Sequence, residues 1–149
     1  MAAKPAREAP AKVQFPKRDA DGRVATFADM VAGVGVNLVL GLVILVVIDA
    51  LSATVAGRFG EISGWLAGIL VVWLFVEDFR AWGQGNHRVG AGRWGVAAGG
   101  VLLGGLAGAA LSGQLNAWPN LASGALGVLL ATGLYAAIWF YGIRVIADR

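Results

Sequence analysis

From Leu38 to Ile48 the chain runs eleven residues without a polar side chain, and only Gly41 breaks the series of large apolar ones. With its flanks, from about Met30 to Leu51, this stretch reaches the roughly 20 residues that a helix needs to cross about 30 Å of hydrocarbon at about 1.5 Å per residue. Such a run dictates its solvent before it dictates a fold. Three more segments carry the same signal, at 62–79, 94–115 and 121–143. Composition agrees: 58% of residues are hydrophobic, 14% are charged, and the mean hydropathy of +0.70 is too high for an ordinary soluble domain. The chain is therefore expected to be an all-α membrane protein, a bundle of four transmembrane helices over 29–149.

Orientation follows from the basic residues, because short cytoplasmic loops carry an excess of Lys and Arg. With four crossings, Lys4, Arg7, Lys12, Lys17, Arg18, Arg23, Arg80, Arg88, Arg93, Arg144 and Arg149 share one side, and only Arg58 of the 12 basic residues falls on the other. An odd number of crossings scatters them over both faces. The expectation is a multi-pass protein of the plasma (cell) membrane with both termini cytoplasmic. Trp65, Trp73, Trp139, Phe140 and Tyr141 near span ends match the interfacial aromatic belt. Residues 1–28 mix Ala, Pro, Lys and Arg without an apolar period, which predicts a disordered basic cytoplasmic tail. The positive charge is thereby explained by topology and anionic lipid, with no nucleic-acid partner implied.

The third segment is the least apolar of the four, built on Gly and Ala. Gly100, Gly104, Gly108 and Ser112 repeat at every fourth position, and Gly105, Ala109 and Gly113 form a stripe beside them. Residues four apart share a helix face, and small residues allow the close approach on which helix association in lipid depends. Gly33, Gly41, Gly64, Gly68 and Gly127 extend the pattern to the other spans. This glycine-zipper pattern has two uses, closing the chain's own bundle and forming a homo-oligomer or docking a membrane-protein partner.

Polar residues within a span are costly and are candidate sites by default. Asn37 lies deepest, on the side of Gly41, and is expected to make an interhelical hydrogen bond. Asp49 stands at the outer end of the first span, with Arg58 as its nearest possible partner. Glu77, Asp78 and Arg80 close the second span, with Arg80 expected to compensate the two acids at a helix C-terminus. His87, Arg88 and Arg93 follow them. Two functional readings arise. One is a non-catalytic accessory or packing subunit that associates through its glycine-striped helices. The other is a small homo-oligomeric channel or transporter with Asn37, Asp49 and Glu77 along its path. No proline interrupts a span to make the broken helices of a transport site, which favours the first. One histidine, no cysteine and no nucleophile beside a base leave no catalytic residue, metal site or cofactor to assign.

Overall fold

The computed structural model describes residues 15–85 and 89–148. Among these residues the fold is four helices: α1 (Phe27–Ala56), α2 (Ile69–Gly85), α3 (Gly92–Gln114) and α4 (Asn120–Ala147), with a 3-10 turn over Gly64–Gly68 leading into α2. Three of them, α1, α3 and α4, are long and apolar enough to cross a membrane. Both helix termini of α1 follow from local chemistry. The Thr26 hydroxyl accepts from the Asp29 backbone N–H at 3.1 Å and donates to the Asp29 carboxyl at 2.6 Å, a reciprocal N-cap. At the other end Gly57 takes φ +72°, and its N–H donates to Ala53 O. These caps carry α1 three residues before and five residues beyond 30–51, the stretch that apolarity alone marks out.

The chain runs up and down. The start of α1 and the end of α4 meet at one end of the bundle, the basal end, where Phe27 packs on Phe140 and Tyr141. Gly60 and Pro119 meet at the opposite, distal end. The principal helix pair is α3 with α4; α1 packs on α4, on α2 and on the 3-10 turn; α2 and α3 barely touch. The core runs between α1, α2 and α4 through Met30, Val34, Val71, Leu74, Trp139 and Ile143.

The basic segment before α1 departs from its expected disorder in the part that the structure describes; residues 1–14 lie outside it. Residues 17–25 fold into a tight reversal. Asp19 N–H donates to Arg23 O at 2.8 Å, Ala25 N–H donates to Lys17 O at 3.1 Å, and the Asp19 carboxyl accepts from Asp21 N–H and Arg23 N–H. Gly22, at φ +79°, supplies the left-handed position that the turn needs. Val24, fully buried, anchors this reversal to the core. Buried Pro16 and Val24, the backbone bonds of Val24 to Asp78 and Arg144, and the Arg18–Glu77 ion pair dock the segment, although its composition reads as a solvated tail.

Candidate functional site

Asp78 and Val24 organise the basal end. Asp78, 1% exposed, accepts from Val24 N–H at 2.7 Å with one carboxyl oxygen and from the Trp139 indole N–H at 2.7 Å with the other. Arg144 completes the clasp on Val24 by donating to its carbonyl at 2.9 Å, and donates also to Phe140 O. Its guanidinium lies 3.4 Å from the Phe140 ring centroid, while that of Arg23 lies 4.5 Å from the Trp82 ring. Glu77, one residue away but turned about 100° round the helix, faces outward. It accepts from Arg18 at 2.7 Å and from the Trp73 indole at 2.8 Å. The expected compensation of these acids by Arg80 is thus replaced by partners from the N-terminal segment and α4. Arg80 forms no ion pair among the described residues. His87 and Arg88 lie outside the described residues.

Asp49 and Asn37 also take partners other than those expected. Asp49 is 1% exposed and accepts from Gly60 N–H at 2.6 Å and Ile62 N–H at 3.4 Å, so it holds the distal turn by its backbone. Arg58 pairs with Glu61 instead, at 3.1 Å on the surface. Asn37 donates to Gly33 O of its own helix at 2.8 Å rather than across to a neighbour. The back-bond to the carbonyl four residues earlier is open to any short polar side chain, and Ser52 and Thr132 do the same. Asn37 and Glu77 line one cavity of about 290 Å³ with Arg18 and Trp73; Asp49 is at the other end of α1. Among the described residues, no three His, Asp or Glu gather where they could hold a metal ion.

The glycines fix how close the helices come. A Cβ on Gly104 would stand 2.5 Å from Ala131 O, and one on Gly108 would overlap Gly127 O, so α3 lies directly on the α4 backbone there. Gly41 faces Ala67 O in the same way, Gly64 faces Leu121 O and Ala125 N, and Gly68 faces Val128. Gly33 meets Leu74 and Pro16, and Gly100 meets the Tyr135 ring. Away from α4, Gly95, Gly99, Gly105 and Gly113 have, among the described residues, no atom beyond their own stretch of helix within 4 Å of a would-be Cβ.

These contacts grade in size along the bundle, and a crevice results. At the distal end the 3-10 turn lies on α4 through Gly64 and Gly124, backbone on backbone. Toward the basal end α2 meets α4 through rings, Phe75 on Tyr135 at 4.3 Å and Phe79 on Trp139 at 5.6 Å. α2 and α3 barely touch, and an apolar crevice of about 690 Å³ opens between the two over α4. Ile69, Val72, Phe75, Val76, Val101 and Val128 are among the residues that line it. Phe79 and Trp94, 4.7 Å apart, close its basal end, where Arg93 lies over the Phe79 ring. Arg80 is the one charged residue in the lining.

Sequence reasoning missed Val24 and Trp139 as partners of Asp78, and Arg144 as a partner of Val24, since the paired groups lie 54, 61 and 120 residues apart. The Asp19 to Gly22 turn did carry a local signal, the Asp-Gly step. The sequence matches no family model, and no curated protein or solved structure is significantly similar to it.

Proposed function

We propose that the chain is a four-pass protein of the plasma membrane with both termini cytoplasmic, acting without catalysis as an accessory subunit. It associates laterally with another membrane protein, or with its own copies, through the outward face of α3.

The observation that carries this reading is the state of α3. Of the three long apolar helices it has the lowest mean hydropathy and the smallest buried share. Its inner glycines are consumed against α4, while Gly95, Gly99 and Gly113 stand uncovered beside Leu102 and Leu106, which are 64% and 68% exposed. A weakly apolar helix with a flat, uncovered face gains close packing only from another helix. The polar residues support the same reading by being occupied already. Asp49 holds a backbone turn, Asn37 bonds its own helix, and Glu77 is paired with Arg18. A transport path loses its groups to these bonds.

Four crossings find support in the meeting of Arg144 with Val24, since an even number of passes returns the chain to its starting side. The 3-10 turn and α2 together reach roughly 35 Å, at about 2.0 and 1.5 Å per residue. The cluster of basic residues at the basal end supports a cytoplasmic assignment for it.

Purification of the tagged full chain in native lipid particles tests the association. The expected result is a stoichiometric membrane partner, or a mass of two or more copies. Gly99→Phe is expected to lower the associated fraction about tenfold, the effect of roughly 1.4 kcal/mol, while the thermal midpoint stays in place because no atom lies near that position. A chain that is solitary in native lipid, or an assembly indifferent to Gly99→Phe, overturns the reading.

A further inference from the structure

The crevice between α2 and α3 is lined almost wholly by apolar residues. In a bilayer an apolar recess is filled by whatever apolar matter can enter it, and polar matter is excluded. This one opens sideways: Ile69, Val72 and Val101 line it and remain 63%, 59% and 61% exposed. Thr132, one of its few polar residues, spends its hydroxyl on Val128 O.

We propose that the crevice holds one anionic phospholipid of the surrounding bilayer, with an acyl chain lying between α2 and α3 and the phosphate paired with Arg80. Charge complementarity selects this ligand. Arg80 is the single charged residue of the lining, and the acids beside it are engaged elsewhere, Glu77 with Arg18 and Trp73, Asp78 with Val24 and Trp139. Its positive charge therefore stands at the basal mouth of an otherwise apolar slot, beside Trp94, at the level where the four-pass reading puts headgroups.

The inference rests on the four-pass orientation but not on the α3 interface, and one experiment separates the two. The full chain, stripped of lipid in mild detergent, is titrated with phosphatidylglycerol and in parallel with phosphatidylcholine, and bound lipid is counted by native mass spectrometry. One tightly bound phosphatidylglycerol is expected, with Arg80→Gln weakening it about fivefold, the effect of one basic residue at an anionic surface. Phosphatidylcholine is expected to bind more weakly and to be indifferent to Arg80→Gln. Gly105→Trp and Val101→Trp fill the crevice and are expected to abolish the bound lipid. Should Gly105→Trp fail to fold, Val101→Trp carries the test, because that side chain is already exposed. Gly99→Phe, on the outward face, is expected to leave lipid binding unchanged. Phosphatidylglycerol retained by both tryptophan variants, or equal retention of the two lipids, overturns the proposal. So does loss of a second copy or of a partner protein, in place of lipid, on filling the crevice.

Discussion

A carboxyl group enclosed by an apolar bundle has to find donors, and Asp78 finds them on two elements that no local pattern connects. Its bonds to Val24 N–H and to the Trp139 indole fasten the segment before α1 and the end of α4 to the same point of α2. Asp78→Leu leaves both donors buried without an acceptor, at about 1–3 kcal/mol for each. The combined loss is expected to be about 2–6 kcal/mol, read from unfolding in mild detergent. Asp78→Asn keeps one acceptor and sets its amide against the other donor, so about half of that loss is expected. Hydrogen exchange at Val24 is expected to accelerate in Asp78→Leu, and unchanged protection there counts against the clasp. In the sequence, Asp78 stood out as a polar residue near a span end, and that much was legible. Its partners were not, because a buried carboxyl is satisfied by whatever donors the tertiary fold delivers. Asp49 shows the same limit: Arg58 was the nearest charge in sequence, whereas the backbone N–H groups of Gly60 and Ile62 were the nearest donors in space.

At the scale of elements, one turn of α3 contains two glycines with opposite environments. Gly104 lies on the Ala131 carbonyl, part of a backbone that cannot yield, and Gly105 looks into the open crevice. Gly104→Leu is expected to force α3 away from α4 and to cost about 1–3 kcal/mol or more as overpacking. Gly105→Leu, one residue along, is expected to shift the unfolding midpoint little. Equal effects of the two would mean that α3 does not lie on α4 as described. Spacing by four made both stripes legible, since that period alone places residues on one face. Which stripe met α4 was not legible, because both are equally small and the choice rests on what α4 offers opposite, here Gly127 and Ala131. Apolarity likewise located all four helices but misjudged their ends, which are settled by caps such as Thr26 and Gly57 and by the 3-10 turn ahead of α2.

For the whole molecule, the four-pass reading turns on α2. Gly64 to Val76 is apolar but covers only roughly 22 Å at about 1.5–2.0 Å per residue, short of the roughly 30 Å of hydrocarbon. Such a span is accommodated by local thinning of the bilayer and by flanking residues that reach for the headgroups, as Arg80 and Trp73 are placed to do. The alternative, α2 lying along the membrane surface, separates Gly41 from Ala67 and the 3-10 turn from Gly124, and it gives up these close backbone contacts. It also leaves three crossings, which set Arg144 and Val24 on opposite sides of the membrane and break their bond. The absence of cysteine makes the distinction direct to measure. Single cysteines at Ala20, Ser63, Gln84 and Asn116 are each probed in intact cells with a membrane-impermeant maleimide. With four crossings, Ser63 and Asn116 positions are expected to label from outside, whereas Ala20 and Gln84 positions label only after permeabilisation. Outside labelling at both Ala20 and Gln84 reverses the proposed orientation, whereas outside labelling at Gln84 with Ala20 protected means that α2 does not cross and overturns the four-pass reading.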